Sequence, residues 1–68
     1  MNRTPVSSSN IASVGYENGV LEIAFVDGGV YQYFDVPERV YLGLMSAYSK
    51  GRYFHDNIKD RYRFVQVG

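Results

Sequence analysis

Apolar residues alternate with polar or small ones from residue 11 to residue 27, a period of two that predicts extended strands. The alternation is interrupted at Asn18-Gly19. Asn-Gly is the preferred type I′ hairpin turn, because both central residues take positive φ there. A two-residue loop pairs Tyr16 with Leu21, Val14 with Ile23 and Ala12 with Phe25, all on one face. The opposite face carries Ser13, Gly15, Glu22 and Ala24 and is far more polar. A slip by one residue would turn the apolar set outward, so the register is strongly specified. A second turn is expected at Asp27-Gly28-Gly29, followed by a strand over residues 30–36. A two-residue loop places Val30, Phe34 and Val36 among the core positions and turns Tyr31 and Tyr33 to the other face; a three-residue loop reverses this. Composition favours the first arrangement.

The period then changes. Asp35-Val36-Pro37-Glu38 reads as a helix start, with Asp35 as cap, Pro37 in the first turn and Glu38 reaching back. Pro disfavours helical geometry in the residue before it, which leaves the first residue of the helix open. Val40, Leu44 and Ala47 follow helical spacing, as do Tyr41, Met45 and Tyr48, and together they form one wide apolar stripe. Ser49-Lys50-Gly51 is expected to stop this helix, with Gly51 in the left-handed position past its end. Phe54, Ile58 and Tyr62 recur every four residues and predict a second, shorter helix, with Lys59 and Arg61 near its C-terminus. Residues 63–67 are long enough to pair as a short fourth edge strand. Residues 1–10 read as a polar arm, with the Ser-rich stretch 4–10 either extended or a loose edge strand, and residues 11–68 as a single domain. The expected class is α+β: a three-stranded antiparallel β-meander with two C-terminal α-helices packed on its apolar face.

Composition narrows the function. A chain of 68 residues allows one small domain, which buries only about 60% of the surface its unfolded form exposes. With no Cys, disulfides and zinc–thiolate sites cannot help it. Nothing approaches the roughly 20 apolar residues of a membrane-spanning helix, and the first residues lack the apolar core of a secretory signal. A cytoplasmic location is the simplest expectation. The formal net charge is zero, but it is segregated. Residues 1–38 hold one base against five acids, a net −4, and residues 39–68 hold six bases against two acids, a net +4. Such segregation creates a basic face that attracts phosphate, or lets the two halves attract each other.

Catalysis has little support in these residues. His55 is the only imidazole, and no Cys is present as a nucleophile. Asp56 follows His55 directly, and adjacent helical residues do not face each other. One His with scattered carboxylates does not nominate a metal site. Gly28-Gly29 precedes a strand and not a helix, so it is a turn and not a phosphate loop. No catalytic residue, metal ligand or cofactor is assigned. Tyr31 and Tyr33 are the stronger signal. Two positions apart on a strand, they share a face, and if that face is open they form a platform for stacked bases. Tyr is also simply favoured in strands, which is the plainer reading of the pair. Lys50, Arg52, Lys59, Arg61 and Arg63 interleave with Tyr48, Tyr53 and Tyr62, a mixture suited to a phosphate backbone and its bases.

An ordered series of short matches resembles the KTSC domain. It comprises Val6-Ser7-Ser8-Ser9-Asn10-Ile11, Gly15-Tyr16, Asp27-Gly28-Gly29-Val30-Tyr31-Gln32-Tyr33, Val36-Pro37, and Ser49-Lys50-Gly51-Arg52-Tyr53-Phe54 with Ile58 and Tyr62. The resemblance covers nearly the whole chain, and its signature is a central Tyr-x-Tyr, matched by Tyr31 and Tyr33. It implies a domain of uncharacterised function that stands alone in small bacterial and phage proteins and extends some lysyl-tRNA synthetases at the C-terminus. An RNA-binding role is suggested for that family by its association with the synthetase.

The expectation is therefore a non-enzymatic domain that binds RNA (tRNA-like) or single-stranded nucleic acid. Tyr31 and Tyr33 would stack on bases, and Arg52, Lys59, Arg61 and Arg63 would contact phosphate. The alternative is a protein–protein interaction or homodimerisation module, in which a partner covers the aromatic sheet face or adds a strand to an edge.

Overall fold

A computed structural model describes all residues, 1–68. Its elements are β1 (Thr4–Pro5), β2 (Ile11–Glu17), β3 (Val20–Phe25), β4 (Val30–Tyr33), α1 (Glu38–Ser46), α2 (Lys50–Asn57) and β5 (Phe64–Gln66). The strands form one antiparallel sheet in sequence order, β1-β2-β3-β4-β5. The class is α+β as expected, and the β2-β3-β4 meander is present. The sheet has five strands, however, because both chain ends pair with it. The tail supplies β5, and the arm supplies the two-residue β1. No helix is long and apolar enough to cross a membrane.

The first hairpin follows its turn chemistry. Asn18 and Gly19 take φ of 51° and 81°, and Tyr16 faces Leu21 and Val14 faces Ile23. Beyond Ser13 the register shifts by one residue. Ile11, not Ala12, then stands opposite Phe25; Ile11 is fully buried and Ala12 is exposed. The bulge admits the larger side chain to the core and turns the methyl outward.

The second hairpin departs from expectation in a way that matters for function. The Phe25 N–H donates to Gly29 C=O (2.8 Å), and the Gly28 N–H donates to Phe25 C=O (2.9 Å). Three residues, Val26 to Gly28, thus make the loop, and Gly28 takes φ +107°. An odd loop reverses the phase of the next strand. Tyr33 stands opposite Leu21 and Tyr31 opposite Ile23, so both tyrosines lie on the core face. The outward tyrosine platform is therefore replaced by an inward aromatic layer, and Phe34 lies outside the core face that was expected to hold it.

Both helices cover that face. Tyr16 of β2 stacks on Tyr41 of α1, with centroids 4.9 Å apart and planes 9° apart, and the Tyr16 hydroxyl donates to Val36 C=O at 2.5 Å. Val40 and Leu44 of α1 and Ile58 after α2 complete the core with Ile11, Val14, Leu21 and Ile23. The two helices approach closely at Gly43, where a Cβ would overlap the Tyr53 phenol. Three helix-terminus expectations fail for identifiable reasons. Pro37 is the N-cap of α1, and Asp35 makes no cap but sits at φ +58° in a turn. Pro holds Val36 extended, so the helix can start only after it. Ser49-Lys50-Gly51 opens α2 and does not close α1: the Ser49 hydroxyl accepts the Arg52 N–H (3.3 Å), a standard N-cap bond. Tyr48 lies in the link between the helices and is fully exposed, outside the stripe that was expected to include it.

On the opposite face the N-terminal arm crosses the sheet. Arg3 donates from Nε to Ser13 Oγ (3.0 Å) and from Nη1 to Glu22 Oε2 (2.5 Å), and Gln32 Nε2 donates to Glu22 Oε1 (2.8 Å). Glu22 is 6% exposed. Hydrogen bonding to Gln32 and to the Arg3 guanidinium, against the opposing effect of burial, holds its carboxyl below the usual range.

Candidate functional site

The inward turn of β4 places Tyr31 and Tyr33 in an aromatic layer. Tyr33 packs edge-on to Phe54 of α2 (5.6 Å) and tilted to Phe64 of β5 (5.8 Å), while Phe25 meets Tyr31 (5.7 Å) and Phe54 (5.2 Å) edge-on. Edge and tilted packing of this kind fixes the rings relative to one another. The layer is not sealed. A solvent-open hollow of about 370 Å³ lies over Tyr31, Tyr33 and Phe64, flanked by Lys59 and Asp60. A second hollow of about 500 Å³ adjoins it and reaches Asn10 and His55. Both are lined by Phe25, Asp27, Phe54 and Lys59, so they form one groove between α2 and the β3–β4 hairpin.

Of the residues proposed from the sequence, this groove brings together Tyr31, Tyr33 and Lys59. Tyr31 is half-buried, and Tyr33 is only 5% exposed. Lys59 is exposed and makes no ion pair. The other cations do not line the groove. Arg52 is exposed on α2 with Asp56 at 3.9 Å, and Arg61 is exposed in the turn after α2. The Arg63 guanidinium lies over the Phe34 ring at 5.0 Å. Residues not singled out for the site are Phe25, Phe54, Phe64, Asp27 and Asp60. The period-two pairing of Phe25 and the period-four spacing of Phe54 placed both on the core side, which was the available signal. Asp60 takes φ +62° in a turn closed by the Arg61 N–H to Ile58 C=O (3.1 Å), and this turn places Asp60 on the groove wall.

His55 and Asp56, adjacent in sequence, do approach, with Nδ1 3.3 Å from Oδ1, but both side chains are exposed at the surface of α2. No group of three or more His, Cys, Asp or Glu side chains converges as a metal site would require. Burial, with a smaller contribution from Tyr31, pushes the Tyr33 phenol up to about 12, so it holds its proton at any neutral pH.

Comparison with known proteins agrees with the fold. The chain is 38% identical over 65 residues to a protein of Tsukamurella paurometabola, covering 93% of this chain and 97% of that one. It is 37% identical over 70 residues to an uncharacterised protein of Stutzerimonas stutzeri, covering 98% and 99%. It is also 45% identical over 47 residues to a lysine–tRNA ligase of Trichormus variabilis, a match spanning 69% of this chain and 8% of the ligase. The crystal structure of a KTSC domain protein from Yersinia pestis superposes with a TM-score of 0.95 at 49% identity, covering 98% of this chain and 97% of that one. The family model of the KTSC domain matches residues 7–62. The chain therefore belongs to the KTSC domain family.

Proposed function

We propose that this domain is a non-catalytic module that binds single-stranded nucleic acid, RNA in particular, in the groove between α2 and the β3–β4 hairpin. The observation that carries this reading is the position of Lys59, an unpaired cation above a floor of Phe25, Tyr31, Tyr33, Phe54 and Phe64. A strand that follows the helix side meets the ammonium with its phosphates and lowers bases onto exposed ring surface. Phe64, 51% exposed, and half-buried Tyr31 offer that surface, and such contacts are worth about 1–3 kcal/mol per base. Arg52 and Arg61, exposed in and just beyond α2, extend the cationic side. Asp27 lines the groove on the hairpin and keeps phosphate to the Lys59 side. The partial match to a lysine–tRNA ligase gives independent support, since that enzyme handles an RNA.

The test is a fluorescence-anisotropy titration of labelled single-stranded RNA at two salt concentrations. Binding that weakens as salt rises is expected. No binding at low salt would remove the reading.

One observation favours a protein partner as a second reading. β5 is the outer strand of the sheet, and Phe64, Val65 and Val67 are exposed along it. An uncharged, apolar edge is a template for strand addition. Sedimentation distinguishes the two: a tight dimer that excludes RNA would favour the partner.

A further inference from the structure

Tyr33 presents an unused hydrogen-bond donor at the floor of the groove. The residue is more than nine-tenths buried, yet its hydroxyl makes no hydrogen bond to the protein, in contrast to Tyr16, whose hydroxyl is held by Val36 C=O. No fully enclosed polar side-chain atom lacks a partner, so the Tyr33 hydroxyl keeps contact with solvent, and the hollow over Tyr31 and Phe64 is where Tyr33 opens. Because the phenol stays protonated, it offers a proton at neutral pH. A ligand that displaces water from this hollow must supply an acceptor in its place, or the donor is left unsatisfied. Asp60, on the wall of the same hollow, is an acceptor only.

From this we infer that the hollow selects a base with a ring carbonyl beside a ring N–H, the edge shared by uracil and guanine: Tyr33 donates to the carbonyl and Asp60 accepts the N–H. Adenine carries no ring carbonyl and cannot present that pair. The inference rests on the nucleic-acid reading and adds the base that the site prefers. It makes Tyr33 a specificity-determining residue, whose aromatic body belongs to the core and whose single polar atom belongs to the ligand.

The experiment compares oligouridine with oligoadenosine on the intact chain and on Tyr33→Phe. The substitution removes one oxygen and keeps the ring. A net hydrogen bond corresponds to about a 2- to 10-fold change in affinity. Oligouridine should bind the native chain more tightly than oligoadenosine. Tyr33→Phe should lose about that factor for oligouridine and leave oligoadenosine unchanged. A second arm perturbs the ligand, so it does not depend on the variant's fold: oligo(3-methyluridine), whose ring nitrogen has no proton for Asp60 to accept on either carbonyl edge, should bind the native chain more weakly than oligouridine. Equal affinity for both oligonucleotides, or an unchanged Tyr33→Phe, overturns the base preference and leaves nucleic-acid binding standing. Failure of both oligonucleotides to bind at low salt overturns both.

Discussion

The arm across the back of the sheet makes a quantitative prediction through Arg3→Met. The guanidinium bonds a carboxylate that is 6% exposed, and Gln32 supplies the only other donor to Glu22. Stripping one partner from a fully buried pair costs about 3–5 kcal/mol. Arg3 is one-third exposed, and the arm can move aside and admit water, which reduces that figure. We expect a loss of about 1–2 kcal/mol at neutral pH, which for a domain of this size lowers Tm by roughly 4–16 °C. The pH dependence follows from the sign of the shift. The folded-state pKa of Glu22 lies below its ordinary value of 4.5, so the stabilisation is fully present above that value. It is lost as pH falls through the folded pKa. The gap between native chain and Arg3→Met should therefore narrow between neutral pH and an acid pH below 4.5, as the Glu22 carboxylate takes up its proton. Thermal denaturation followed by circular dichroism at the two pH values measures both quantities. An unchanged Tm at neutral pH, or a deficit that persists undiminished in acid, would refute the argument.

Three further outcomes are expected. Lys59→Gln should weaken RNA binding and reduce the slope of log affinity against log salt by about one, as read from titrations across a salt series, because one phosphate contact is gone. Asp27→Asn keeps the oxygen that accepts the Gly29 N–H in the turn but removes a negative charge from the groove wall; it should tighten RNA binding at low salt by a few-fold, about 2–5. Gly28→Ala places a side chain at φ +107° with open space around it, so backbone strain alone should cost about 1–3 kcal/mol in urea denaturation.

Much of the fold was legible because its cues are local. Asn18-Gly19 specifies a two-residue turn, and with the alternation around it the pairing of Tyr16 with Leu21 and Val14 with Ile23 follows. The four-residue spacing of Phe54 and Ile58 signalled the second helical segment. The errors arise where one residue of phase decides a whole strand. Val26-Asp27-Gly28-Gly29 is compatible with an even or an odd loop, and the choice depends on which glycine takes positive φ. The loop uses Gly28, and this sends Tyr31 and Tyr33 inward. The bulge near Ala12 is a tertiary outcome, driven by the gain from burying Ile11. Ser49-Lys50-Gly51 is ambiguous by chemistry, since Ser caps helix starts and Gly ends helices. The site was legible only in part for the same reason. Lys59 and the two tyrosines were visible as types, but their meeting with Phe25, Phe54 and Phe64 required the phase of β4 and the return of β5.

The central claim is that the groove beside Lys59 receives a nucleic-acid strand. The most direct measurement is a two-dimensional NMR titration of isotope-labelled protein with single-stranded RNA at low salt. The account predicts shift changes concentrated at Phe25, Tyr31, Phe54, Lys59 and Phe64, with the Glu22 and Gln32 signals unmoved. Changes confined to the Glu22 face of the sheet, or none at all, would contradict it.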